Sequence, residues 1–229
     1  MFSQVFLAIT QPEIGKNLPN RLAYMALHFS PYDAGLSNIP AFLPPGSILL
    51  LDDSMPPDMH DREVIVQQLK VLVDQFSSTA VLLDFQREVS PKSEEMVDFI
   101  LQSLPCPVGA TEDYASKMGC PVFLSPLPVN KSLESYLSPW LQQGVFLELA
   151  PESRKITVTK DGSCTSAILY TDSFPLEDSN LCCHYDVEIQ KDQAIFHLTR
   201  TREDLSALAQ QAYDFGVRGV VGLYRELIK

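Results

Sequence analysis

Basic residues are scarce in this sequence: 17 Lys and Arg stand against 29 Asp and Glu, for a formal charge of −12. A field of that sign repels phosphate backbones, so nucleic acid is not an expected partner. No dense Lys/Arg run offers itself to an anionic membrane surface. The apolar runs stop short of the ~18 residues that would span a bilayer. Cys-x-x-Cys pairs are absent, and the cysteine count is odd: Cys106, Cys120, Cys164, Cys182 and Cys183. That pattern argues for reduced thiols over a disulfide framework or a zinc cage. A phosphate-cradling glycine loop and a Gly-x-Ser-x-Gly elbow are missing too, so no cofactor and no metal is expected. The opening segment MFSQVFLAITQPEIG lacks a basic start and a long apolar centre. It reads as a first strand, not a signal peptide, and the expected address is cytoplasmic.

What the sequence does have is material for a core. It runs to 229 residues, 45% of them hydrophobic, and α/β barrels reach this length as one unit, so residues 1–229 are read as a single domain. Nine short apolar runs recur: Val5–Thr10, Leu22–Phe29, Ser47–Asp53, Ala80–Gln86, Pro107–Glu112, Pro121–Pro128, Val145–Pro151, Ala194–Arg200 and Gly219–Tyr224. Their nearly unbroken apolar character suits parallel strands buried on both faces. Helical stripes lie between several of them. Ile65, Leu69, Leu72, Val73 and Phe76 follow a cap at Asp58 or Asp61. Met96, Val97, Ile100, Leu101 and Leu104 follow Ser90-Pro91, a good cap and first-turn pair. Thr201 and Asp204 form a capping box before Leu205, Leu208, Ala209 and Ala212, and Gly216 stops that helix. The segment Arg154–Leu169 reads as a hairpin turning at Asp161-Gly162. The expected fold is therefore α/β: a single (β/α)8 TIM-type barrel, with a β-rich insertion at roughly 152–193 before the last strands. One of the nine runs must lie outside the barrel.

In such barrels chemistry sits at the C-terminal ends of the strands. The run Ala80–Gln86 ends in two polar side chains, Asp84 and Gln86, which a period of two places on the same side. Other strand-end candidates are His28, Asp53, Glu112, Glu148 and Tyr224. Asp52-Asp53 could be metal ligands or a helix-capping pair. His28 and His197 could be bases or packed, hydrogen-bonded residues. Arg87 and Arg200 could hold an anion or pair with nearby carboxylates. Trp140 could be a sugar platform or a helix end.

The stretch Thr79-Ala80-Val81-Leu82-Leu83-Asp84-Phe85-Gln86 resembles the fourth-strand motif D-G-x-D-x-D-x-E of family 18 glycoside hydrolases, the chitinases and their relatives. The last Asp is matched by Asp84; the earlier Asp positions hold Thr79 and Leu82, and the Glu position holds Gln86. LAYMALHFSPY resembles that family's second strand, SILLLDD stands in place of its third, and SALAQQAYDFGVRGVVGLYREL is similar to its last helix and strand, with Tyr224 near a family Trp. The Tyr185-Asp186 pair is similar to a Tyr-Asp pair of its sixth strand but falls late in the chain. The resemblance implies a sugar site in which Asp84 would orient an N-acetyl group, while Gln86 stands where the proton donor belongs. An amide has no proton to give at any working pH. The implied function is a carbohydrate-binding barrel, non-catalytic or weakly active, with a glycan fragment bound by Asp84, Gln86, Glu148, Tyr224, His28 and Asp53. One alternative is an active hydrolase whose acid has moved to Glu148, Glu112 or Asp53; another is a structural or protein-interaction barrel.

Overall fold

The structure is a computed structural model that describes residue 2 and residues 4–14, 20–168 and 174–228. Strands β1 (Phe6–Ile9) and β2 (Leu22–Phe29) open the chain; a two-residue strand, β3 (Leu36–Ser37), pairs antiparallel with β2. Then strands and helices alternate: β4 (Ile48–Asp52), α1 (Arg62–Phe76), β5 (Ala80–Asp84), α2 (Pro91–Ser103), β6 (Val108–Ala110), α3 (Glu112–Met118), β7 (Val122–Leu124), α4 (Leu133–Leu137) and β8 (Val145–Leu149). An antiparallel block follows, made of β9 (Glu152–Thr159), β10 (Cys164–Ile168), β11 (Leu176–Asp178), β12 (Cys183–Ile189) and β13 (Gln193–Arg200). The chain ends with α5 (Arg202–Asp214), β14 (Gly219–Leu223) and a short α6 (Tyr224–Leu227).

Eight of these strands run parallel in the order β1-β14-β8-β7-β6-β5-β4-β2, and β1 pairs with β2 to close the ring. This is the expected TIM-type barrel. The run outside it is Ala194–Arg200, which is most of β13 and pairs on both sides within the five-stranded sheet β10-β9-β13-β12-β11. The insertion thus continues to Arg200, and only β14 follows it. Among the described residues the helix layer is thinner than a full set of eight. Between β1 and β2 the described residues hold a 3-10 turn, Gln11–Glu13, and β3 stands where a helix would follow β2.

Local chemistry accounts for the helices that form. Asp61 accepts the Glu63 N–H at the start of α1, Ser90 caps α2 with Pro91 in its first turn, and Thr201 with Asp204 forms the capping box of α5. Each satisfies N–H groups that have no partner inside the helix.

Alternate residues of the barrel strands divide between two apolar layers. Phe6, Ala8, Ala23, Ile48, Leu50, Ala80, Leu82, Phe123, Phe146 and Val221 form one buried cluster, which fills the barrel. Leu7, Ile9, Leu49, Leu51, Val81, Leu83 and their neighbours pack outward against the helices. Gly109 and Gly219 make room for the rings. A Cβ at Gly109 would stand 2.9 Å from Leu82 Cδ2 and 3.1 Å from Phe146 Cδ2; one at Gly219 would meet Phe146 Cδ1 at 3.0 Å.

Candidate functional site

The inward row continues past the apolar plug into polar residues at the C-terminal mouth. On β4, Ile48 and Leu50 are inward, so Asp52 is next; on β5, Ala80 and Leu82 are followed by Asp84; on β8, Phe146 is followed by Glu148. Asp52 pairs in register with Asp84, and Glu148 with Val221 of β14. His28 joins this row through an irregularity. The register of β2 against β4 shifts between Tyr24 and Leu27, so that His28 pairs with Asp52. A strict period of two from Ala23 would have turned His28 outward; the shift re-aims it, as bulges do at barrel rims. Its Nδ1 lies 3.2 Å from the Ala26 carbonyl.

Gln86 lies on the Asp84 side: its Nε2 donates to Asp84 Oδ1 at 2.6 Å, while Phe85 between them is buried in the outer layer. Burial pushes the Asp84 carboxyl above its ordinary value, the Gln86 hydrogen bond pulls it down, and the charges of Asp52 and Asp53 push it up again, for a net rise. Glu148 is half-buried and pushed up to about 7, first by burial and then by the charges of Asp84 and Glu226. A carboxyl at that value holds its proton about half the time near neutrality.

Asp53 does something else. It is buried at 4% exposure, its Oδ1 accepts the Gln86 N–H and its Oδ2 the Arg87 N–H, both at 2.9 Å. Arg87 returns hydrogen bonds from Nε to the Asp53 carbonyl and from Nη2 to the Ser54 carbonyl, both at 2.6 Å. This clamp fixes the chain just beyond Asp84. It also accounts for Arg87, and Asp53 stands as a support for the site, with both oxygens engaged.

Tyr224 sits on the other flank. With Ala8, Thr10, Glu13, Met25, Leu223 and Arg225 it lines a recess of about 210 Å³ between β1, β2 and β14. Glu13 braces that rim: Oε2 accepts the Thr10 N–H at 2.9 Å, and Oε1 accepts from Arg225 Nε at 2.5 Å. Glu112 is exposed in the first turn of α3. The mouth therefore brings together His28, Asp84, Gln86 and Glu148, with Tyr224 at its apolar edge, and leaves Asp53 and Glu112 outside.

Two residues not singled out from the sequence as ligand contacts belong here. Tyr136 of α4 donates to the Ser125 carbonyl at 3.0 Å, and its hydroxyl is pushed up to about 12 by burial and by the charges of Glu112 and Glu148. The signal for it was local: Ser132 accepts the Ser135 N–H as a cap, and buried Leu133 and Leu137 fix which face of the helix Tyr136 occupies. Glu226 has one oxygen buried without a hydrogen-bond partner among the described residues, and burial raises its carboxyl. The other candidates are structural. Trp140 packs against the outer core, and Tyr185-Asp186 and His197 lie in the insertion. Arg200 is 2% exposed and donates to the carbonyls of Cys182, Leu127 and Leu181, tying the insertion to the barrel.

Solved structures share this architecture at very low identity. The spore cortex-lytic enzyme SleL of Bacillus cereus matches over 96% of this chain and 70% of its own, at 9% identity and a TM-score of 0.56. SleL of Bacillus megaterium matches over the same shares at 9% identity and a TM-score of 0.50. The C-terminal domain of a protein named as a chitinase, from Desulfitobacterium hafniense, matches over 80% and 74% at 10% identity and 0.46. No protein-family model and no curated protein matches the sequence. At this identity the likeness establishes the barrel fold and leaves function to the site. No helix among the described residues is long and apolar enough to cross a membrane.

Proposed function

We propose that this chain is a family 18-like glycoside hydrolase barrel that binds an N-acetylated glycan at its C-terminal mouth and turns it over slowly or not at all through the fourth strand. The observation that carries this reading is the Asp84–Gln86 pair: both project from the end of β5 to one side, joined at 2.6 Å, with Glu148 on the inward row of β8. Asp84 offers a fixed carboxylate oxygen to an N–H donor. Gln86 keeps the shape and hydrogen-bonding of an acid position without its proton. The recess beside Tyr224 is of a size for one sugar ring or its acetamido group.

Isothermal titration with N-acetylglucosamine oligomers tests this. Saturable binding is expected. Losing a hydrogen bond to a charged group costs ~1.5–3 kcal/mol, so Asp84→Ala should weaken binding roughly 10–100-fold. Absence of saturable binding by the folded wild type, or equal affinity in Asp84→Ala, would sink the reading. Gln86→Glu adds a carboxylate beside Asp84, where two like charges share a proton, and it is the single change expected to raise turnover.

A further inference from the structure

We propose that Glu148, on the seventh strand around the barrel, is the proton donor of this site, serving the glycosidic oxygen that Gln86 cannot protonate. The proposal rests on the carbohydrate-binding reading above. Three carboxylates stand out from the sequence as replacements for Gln86, and the geometry selects among them. Both Asp53 oxygens are engaged by the Gln86 and Arg87 amides. Glu112 is exposed on the first turn of α3. Glu148 alone of the three lies on the inward row, one step above Phe146 in the plug, half-buried and within electrostatic reach of Asp84, Glu226 and Tyr136. Gln86 donates to Asp84, which favours the charged carboxylate there. The two carboxyls therefore differ: burial and the charges of Asp84 and Glu226 keep a proton on Glu148 up to about pH 7, whereas at Asp84 the Gln86 hydrogen bond offsets part of the rise that burial and the charges of Asp52 and Asp53 impose. A carboxyl that keeps its proton near neutrality, across the mouth from one whose charged form accepts an amide hydrogen bond, is suited to acid and carboxylate roles in one reaction.

The step balances without further reagents. The Glu148 carboxyl passes its proton to the glycosidic oxygen as the C1–O bond breaks, and the bonding pair leaves with the departing sugar as a hydroxyl. Water adds to C1, and the proton it releases returns to the Glu148 carboxylate. Asp84 stabilises the positive charge that builds on the sugar between these events.

The test compares the full-length wild type with Glu148→Gln on two substrates: N-acetylglucosamine hexamer, whose leaving sugar needs protonation, and 4-methylumbelliferyl chitobioside, whose phenol leaves without much help. Binding of the hexamer is measured in parallel. Glu148→Gln should slow hexamer cleavage by ~10²–10⁴-fold and the aryl substrate by no more than about 10-fold, with hexamer affinity retained. The wild-type rate should fall as pH rises through about 7, and the variant should lose that limb. A purely structural role for Glu148 would slow both substrates alike and weaken binding; that result overturns the proposal. So does cleavage of the hexamer by Glu148→Gln at the wild-type rate. A wild type that binds the hexamer and never cleaves it overturns the proton-donor assignment and leaves the binding reading standing. One that binds nothing overturns both.

Discussion

Glu148 should make the protein less stable as pH rises, and replacing it should reverse that. Its carboxyl is raised from an ordinary 4.5 to about 7 by burial and by the charges of Asp84 and Glu226. The folded state thus binds this proton more tightly than the unfolded chain does. The stability this confers is fully present below about pH 4.5 and is lost as pH climbs through about 7. The gap, at ~1.4 kcal/mol per pH unit, is worth about 3 kcal/mol. Glu148→Gln removes the titration. The variant should therefore gain on the wild type by about 1 kcal/mol at pH 5.5 and by about 3 kcal/mol at pH 8, or roughly 6–12 °C in Tm for a chain of this size. Urea denaturation of both proteins at pH 5.5, 7 and 8 reads the difference. A fixed offset at all three values would reflect a packing or hydrogen-bond change and refute the argument, because only the slope with pH belongs to the buried charge.

Three further changes probe the supports of the site. Asp53→Ala strips the Gln86 and Arg87 amides of their acceptors; it should cost about 1–3 kcal/mol in urea and shift the amide NMR resonances of both residues, since part-buried donors left without an acceptor lose a charge-assisted hydrogen bond each. Arg200→Met abandons three carbonyls at the base of the insertion; limited proteolysis should then cut between 152 and 200 well before the barrel, and equal resistance in the two proteins would contradict that. Gly109→Ala drives a methyl into Leu82 and Phe146 and should destabilise by about 1–3 kcal/mol through overpacking, checked by thermal melting.

Period-two reasoning read β5 well, because a straight strand keeps its parity: Ala80, Leu82 and Asp84 share a side, and Gln86 stays with them. The same reasoning fails on β2, where the register shift between Tyr24 and Leu27 turns His28 into the mouth. Nothing in LAYMALHF marks that shift. The insertion's far boundary was hidden for a different reason. Ala194–Arg200 is apolar and leads directly into a capped helix, as a barrel strand would, yet its partners are β9 and β12. Strand identity is local, whereas strand pairing is a property of the whole sheet. Asp53 shows a third limit: its partners are backbone amides 33 and 34 residues away, and a backbone N–H leaves no trace in residue type.

The plug and the chemistry have one cause. Phe6, Phe123 and Phe146 fill the barrel, and Gly109 and Gly219 leave space for Phe146. Filled, the barrel keeps water from the underside of the residue next above Phe146. A carboxyl in that position faces apolar rings below and other carboxylates around it, and both oppose its charge. The same packing that stabilises the fold therefore raises Glu148 towards neutrality. At the end of β5, three strands further round the barrel, the Gln86 amide works the other way, returning to Asp84 part of what burial takes from its charged form. Burial and like charges act on both carboxyls; what sets Asp84 apart is the Gln86 amide donor at 2.6 Å.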